Sequence, residues 1–153
     1  MSAVASLSLL GREDLVAVRR AAASGDARAV AHALASHHAG PDYPWSGYVL
    51  ATLLPYLEEE RGLDLMKSEL DELAASLTSV LGASCFFLTT RHEQAVAELD
   101  AARFEERALR EYYNAFNETN DEAVGRAMLD GVRFLRAALS HVGADAVVLL
   151  RIG

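Results

Sequence analysis

Apolar residues recur at steps of three and four along most of the chain, which is the spacing of one face of an α-helix. The clearest case is the segment 64–81, where the apolar positions are Met66, Leu70, Leu73, Leu77 and Val80. Charged and small polar residues fall mostly between them. The pattern predicts an amphipathic helix over 64–81 that ends at Gly82.

Other segments carry the same helical pattern with recognisable ends. Two short helices are predicted on either side of the turn Ser24-Gly25-Asp26, with His37 and His38 at the end of the second. A longer helix is predicted from Ser46 to about residue 60, with a kink or break at Pro55. Two capping boxes, Thr90 to Glu93 and Thr119 to Glu122, predict the starts of later helices.

Two short runs are apolar and rich in β-formers: SCFFLTT (84–90) and DAVVLLRI (145–152). Both are predicted as buried strands, and the helices between them indicate a right-handed crossover joining parallel strands. Residues 2–10 (SAVASLSLL) are the best candidate for a third strand, and completion of the sheet across a dimer is the alternative. We therefore expect an α+β, helix-dominated single domain spanning 1–153, with a small sheet of two to four strands.

Composition narrows the class of partner. The chain of 153 residues carries a formal net charge of −8, which argues against nonspecific binding to nucleic acid. Thirteen of its fourteen basic residues are Arg and only Lys67 is Lys; with the abundance of Ala, this indicates a GC-rich, bacterial source.

The sequence favours a cytoplasmic protein that does not associate with membranes. Cys85 is the single cysteine, so no intramolecular disulfide is possible, as expected in a reducing compartment. The N-terminus has no basic region before its short apolar run, so we expect no signal peptide. The longest uncharged stretch, 73–90, has the pattern of a helix end followed by a strand.

No motif for catalysis, metal binding or cofactor binding stands out. The histidines lack the i, i+4 spacing of a metal-binding helix, and no Glu-x-x-His pair occurs. Cys85 falls within a predicted buried strand, where a thiol behaves as a small apolar side chain. Nucleophile-elbow and phosphate-loop patterns are also missing. We therefore predict no catalytic residue, no metal and no cofactor.

Aromatic residues are concentrated in the segment AGPDYPWSGY (39–48). Trp45 before the cap Ser46 suits a hydrophobic staple on the next helix, so its ring is expected to be largely buried. Because Tyr and Trp are also common interface anchors, Asp42, Tyr43, Trp45 and Tyr48 are the candidate interface residues. Further along, Tyr112 and Phe116 are spaced four apart and are predicted to share a core-facing side of a helix.

Two functional hypotheses remain open. The first is a non-enzymatic protein-interaction or regulatory domain that binds another protein or itself, with a homodimer expected. The alternative is a small-ligand-binding protein or an enzyme whose pocket lies at the strand-to-helix junction 89–93. Thr90, Arg91 and His92 would bind the ligand there, because ligands collect at strand ends and helix starts.

Overall fold

The computed structural model describes residues 3–153. Seven α-helices lie in this part of the chain: α1 (Asp14–Ala23), α2 (Ala27–Leu34), α3 (Gly47–Arg61), α4 (Asp71–Leu81), α5 (Ala95–Glu98), α6 (Glu106–Asn117) and α7 (Val124–Leu139). They surround three strands, β1 (Ala5–Gly11), β2 (Ser84–Leu88) and β3 (Ala146–Ile152). The predicted α+β class, dominated by helix and with a small sheet, is confirmed.

The three strands form one sheet in the order β1-β3-β2, and β3 pairs antiparallel with both neighbours. The prediction that 84–90 and 145–152 run parallel is therefore wrong: Ser84 is opposite Ile152 and Leu88 is opposite Val148. The helices between β2 and β3 form a connection that is long enough for either a parallel or an antiparallel pair. Their presence therefore did not determine the direction of pairing. The third strand, predicted within 2–10, is confirmed at Ala5–Gly11, and Ser2 lies outside the described residues.

Both faces of the sheet are covered, which explains the continuous apolar run of β3. Val147 and Leu149 pack with residues of α1, α2 and α4, in a cluster that also contains Cys85 and Phe87. Val148 and Leu150 point to the opposite face, where they pack with α3, α6 and α7. The alternation of side chains along one strand thus divides the apolar core into two layers.

The long helix predicted over 64–81 is confirmed only in its second half, as α4. The segment 64–70 instead folds into turns held by short side chains. Asp64 Oδ1 accepts from the amide of Met66, Ser68 Oγ from Leu70, and Asp71 Oδ1 from Ser68, at 2.8–3.0 Å. Such bonds satisfy the backbone without a helix, and this competition overrode the apolar periodicity. Of the kink or break predicted at Pro55, the break is wrong, because α3 is continuous.

Neither capping box forms as predicted. The first lies one residue earlier: Thr89 is the cap and His92 the reciprocal partner, and together they open a single 3₁₀ turn at Thr90–His92. The second does not form, because Thr119 donates to Asn114 Oδ1 at 2.8 Å instead. Just before α7, Asp121 Oδ1 accepts from the amide of Ala123, the N-cap residue of the helix, at 2.9 Å.

The free edge of β1 is covered by the chain that follows α2. Backbone hydrogen bonds join Leu9 to His37, Leu7 to Ala39, Ala5 to Tyr43 and Ala3 to Gly47, at 2.8–3.1 Å. His37 and His38 therefore belong to this edge segment. The prediction that they lie at the end of α2 is wrong. A covered edge leaves fewer backbone groups available for pairing with another chain.

Candidate functional site

The strand-to-helix junction 89–93 is built around a buried imidazole. His92 Nδ1 accepts from the amide of Thr89 at 3.0 Å, and Nε2 lies 2.8 Å from the carbonyl oxygen of Lys67. This pairing requires the neutral ring with its proton on Nε2. Both ring nitrogens are therefore bound to backbone groups, which explains why a histidine is buried here.

The other residues of this junction have different surroundings. Thr89 is buried, and its hydroxyl donates to Glu69 Oε2 at 2.9 Å. Thr90 is half-buried and Arg91 is exposed. The cavity nearest in sequence, about 390 Å³, is lined by the later residues Val96, Leu99 and Asp100 and by Arg133 and Arg136 of α7, among others. The three predicted ligand residues thus do not converge on that cavity.

The four predicted interface residues separate into buried and exposed positions. Tyr43 is buried: its hydroxyl donates to the carbonyl oxygen of Ala127, and its ring lies 5.4 Å from that of Phe134. Burial, together with the charge of Asp130, raises the pKa of Tyr43 above its ordinary value. Asp42 is exposed and lies 3.5 Å from His38 Nε2. Tyr43 therefore has a structural role, and Asp42 stays at the surface.

Trp45 is more exposed than predicted, because 37% of its surface is accessible to solvent. Its indole Nε1 donates to Asp130 Oδ2 at 2.9 Å, and Asp130 Oδ1 accepts from Arg133 at 2.8 Å. This bond holds the ring against the outer side of α7. Ser46 does cap α3 as predicted, since its Oγ accepts from the amide of Tyr48 at 3.3 Å.

The most exposed aromatic side chains lie near one another, at the start of α3 and the end of α6. Tyr48 is 52% and Phe116 53% exposed. Asn117 Nδ2 donates to Thr52 Oγ1 at 3.0 Å, and Thr52 Oγ1 in turn donates to the carbonyl of Tyr48 at 3.2 Å. These bonds place the end of α6 one helical turn from Tyr48.

We call Trp45, Tyr48, Tyr113 and Phe116 the aromatic surface. Tyr113 belongs to it because it shares a cavity of about 160 Å³ with Trp45. The predicted core position of Phe116 is wrong: its ring stacks on Tyr112 at 5.9 Å but remains at the surface. Helical spacing places Tyr112 and Phe116 on the same side of α6. It could not show that α6 packs on α3 through Leu109 and Tyr112, and that the last turn of α6 is left uncovered.

Cys85 is buried, and the acidic residues lie mostly at the surface. The Cys85 thiol is buried, and burial raises its pKa, although a hydrogen bond from Thr78 and the charge of Arg151 act in the opposite direction. Across residues 3–153, no three side chains of His, Cys, Asp or Glu are placed so that they could hold a metal ion. Within the same range, no helix is both long and apolar enough to cross a membrane.

Comparison with known proteins finds no family model that matches the chain, and no match among curated protein sequences or solved structures.

Proposed function

We propose that this protein is a non-enzymatic protein-interaction or regulatory domain, and that a partner protein binds at the aromatic surface. The observation that carries the proposal is the exposure of Trp45, Tyr48 and Phe116 on neighbouring helix ends. Large aromatic side chains are enriched at protein interfaces, because they bury much area while losing few rotatable bonds.

The acidic side chains of this protein indicate the charge of the partner's binding face. Asp42, Glu118, Asp121 and Glu122 are exposed and lie close in sequence to Trp45 or Phe116, on a chain whose net charge is −8. A partner with a basic face would be attracted, whereas nucleic acid would be repelled. A second copy of this chain is the other occupant that the sequence predicts, and it would bring these acidic groups together.

The cytoplasm is the compartment we propose. The support is the single buried Cys85, which needs no oxidising environment.

The test is capture of partners from the native host with matched variants. We expect wild-type protein to retain a partner in stoichiometric amounts and the double variant Tyr48→Ala, Phe116→Ala to lose it. Both rings are half-exposed, so each truncation should lower the free energy of unfolding by about 1 kcal/mol. Thermal unfolding checks that the variant is folded.

The control is Val16→Ala, which truncates an equally exposed apolar side chain on α1, on the opposite face of the sheet. It should retain the partner. If the double variant captures the same proteins as wild type, the aromatic surface is not the binding site. If Val16→Ala loses them as well, the capture reflects nonspecific binding to exposed apolar side chains and the proposal fails.

A small-ligand-binding role at 89–93 has less support. His92 would have to give up two hydrogen bonds to backbone groups to contact a ligand, and each group left unsatisfied would cost about 1–3 kcal/mol. This geometry favours the interaction hypothesis.

A further inference from the structure

One cavity within the aromatic surface is small and combines aromatic walls with one carboxylate. Its volume is about 160 Å³, below the roughly 300–1,000 Å³ of pockets for drug-sized ligands. The residues that line it include Trp45, Val49, Tyr113, Asp121 and Val124. The size suits one side chain of a partner better than an independent small molecule.

Asp121 is the one charged residue that lines this cavity. Its Oδ1 accepts from the amide of Ala123, while its Oδ2 accepts no hydrogen bond from residues 3–153. Asp121 is also held in place through its backbone, because Asn114 accepts from its amide at 2.9 Å and donates to its carbonyl at 3.0 Å. A fixed carboxylate with a free oxygen can accept a charge-assisted hydrogen bond.

The neighbouring charges do not cancel this carboxylate. Asp130 is paired with Arg133 and also accepts from the indole of Trp45, so this pair contributes little net charge. The helix starts of α3 and α7 carry partial positive charge. The oxygen acceptors beside them are Ser46 Oγ, which binds an amide in the first turn of α3, and Asp121 Oδ1, which binds the amide of Ala123 just before α7. The remaining features, two aromatic rings and a carboxylate oxygen, all attract a cation.

We propose that this cavity binds a basic side chain, Lys or Arg, that the partner protein inserts between Trp45 and Tyr113 and that pairs with Asp121. The inference rests on the proposed function and specifies the chemistry of the partner at one point. The apolar residues Val49 and Val124 would contact the methylene groups of the same side chain, as is usual for long basic residues.

The protein itself supplies the reporter for a direct test, because Trp45 is its only tryptophan. The probes are N-acetyl-arginine amide, N-acetyl-lysine amide and the uncharged N-acetyl-norleucine amide, titrated while Trp45 emission is recorded. We expect a saturable change with one or both cationic probes and at least about tenfold weaker binding of the norleucine probe. Equal binding of the norleucine probe, or no saturable change with either cationic probe, would overturn the proposal.

Asp121→Asn tests the carboxylate while keeping an oxygen that can accept from the amide of Ala123. We expect this change to weaken binding of the cationic probe about tenfold. The matched control is Glu122→Gln, which removes the same charge from the adjacent exposed residue that does not line the cavity. Its effect should stay below about twofold. Equal losses in the two variants would mean that only net charge matters, and the site would be rejected.

The captured partner separates failure of this inference from failure of the proposed function. If the double variant Tyr48→Ala, Phe116→Ala loses the partner and Asp121→Asn retains it with unchanged affinity, the basic side chain is ruled out and the interaction domain stands. If neither variant affects capture, both proposals fail. Loss in both, with Glu122→Gln unaffected and the unfolding temperature of Asp121→Asn unchanged, supports both.

Discussion

Tyr43 and Trp45 are two residues apart, yet one ring is buried and the other is partly exposed, because they bond to different groups of α7. The Tyr43 hydroxyl reaches the carbonyl of Ala127, within the contact between α7 and the edge segment. The indole of Trp45 reaches Asp130, which lies three residues further along α7 and is only half-buried. A hydrogen bond to a surface carboxylate thus holds a large apolar ring partly in solvent, where a partner can contact it.

His92 has a structural role that can be measured as stability. Replacing it with Ala leaves the amide of Thr89 and the carbonyl of Lys67 without their partner, so we expect His92→Ala to lower the free energy of unfolding by about 2 kcal/mol or more. His92→Gln should cost less, because Gln at this position can still accept from the cap amide. Urea unfolding gives both values. An unchanged stability in His92→Ala would return this histidine to the list of candidate ligand residues.

Tyr112 predicts how stability changes at alkaline pH. Burial is the largest cause that raises the pKa of Tyr112, from 10.0 to about 12. The hydrogen bond to Glu59, at 2.9 Å, and the negative charge of Glu59 act in the same direction. The folded protein therefore holds this proton more tightly than the unfolded chain does. The resulting stabilisation is fully present below pH 10 and is lost as the pH rises from 10 towards 12.

Tyr112→Phe removes the titrating hydroxyl, so its free energy of unfolding should fall less steeply between pH 10 and 12 than that of wild type. Urea unfolding at several pH values in this range measures the two slopes. Tyr48→Phe, at an exposed position, is the control and should follow wild type. Parallel curves for Tyr112→Phe and wild type would show that the contact with Glu59 does not hold the proton.

At the scale of helices and strands, local signals were reliable where packing agreed with them. The strands at 84–88 and 146–152 were predicted from short apolar runs, because side chains buried on both faces leave that pattern. The direction of pairing could not be predicted, since it depends on how α5, α6 and α7 return the chain to the sheet. The segment 64–70 shows the opposite case, in which Asp64, Ser68 and Asp71 bind the backbone and prevent a helix that the apolar spacing favours.

The candidate site shows the same limit. Trp45 and Tyr48 could be proposed from one aromatic-rich segment. Tyr113, Phe116 and Asp121 come from a part of the chain more than sixty positions away and join them only through the packing of α6 and α7. Sequence spacing relates residues within one helix, whereas the position of two helix ends relative to each other depends on side-chain contacts across the core.

The crossing of α6 and α7 depends on a glycine, which gives a prediction at the scale of the element. A Cβ at Gly125 would collide with the carbonyl oxygen of Glu106 and would lie 3.1 Å from Arg110 Cβ. Ala is favoured over Gly within a helix by about 1 kcal/mol, but a collision with backbone cannot be relieved by a side-chain rotation. We expect Gly125→Ala to lower the free energy of unfolding by about 1–3 kcal/mol.

The control is Gly143→Ala, where an added Cβ meets no atom within 4 Å. Its effect on urea unfolding should stay within about 0.5 kcal/mol. A Gly125→Ala variant as stable as wild type would mean that α6 and α7 can separate without loss, and the cavity between Tyr113 and α7 would then not be a fixed feature.

At the scale of the whole molecule, the fold restricts where another chain can bind. The outer edge of β1 is covered by the segment that contains Tyr43, and both faces of the sheet carry helices. One of the outward amides of β2, that of Cys85, is bonded to Thr78 Oγ1 at 3.1 Å. Extension of the sheet by a partner strand is therefore disfavoured at β1, and the exposed helix ends of the aromatic surface are the more suitable contact.

Salt dependence separates the two occupants proposed for that surface, because they predict opposite signs. A basic partner is attracted by the exposed carboxylates Asp42, Glu118, Asp121 and Glu122, so its affinity should fall about tenfold or more between 50 and 500 mM NaCl, as the screening length shortens. A second copy joined through a two-fold axis here would place the same carboxylates near their own counterparts, and salt would strengthen the dimer.

Light scattering gives the mass of the isolated protein, 16.5 kDa for a monomer, at each salt concentration, and titration of the captured partner gives its affinity. A mass that doubles as salt rises would favour the homodimer, whereas a constant monomer mass with salt-weakened binding of the partner would identify the surface as a site for a basic protein.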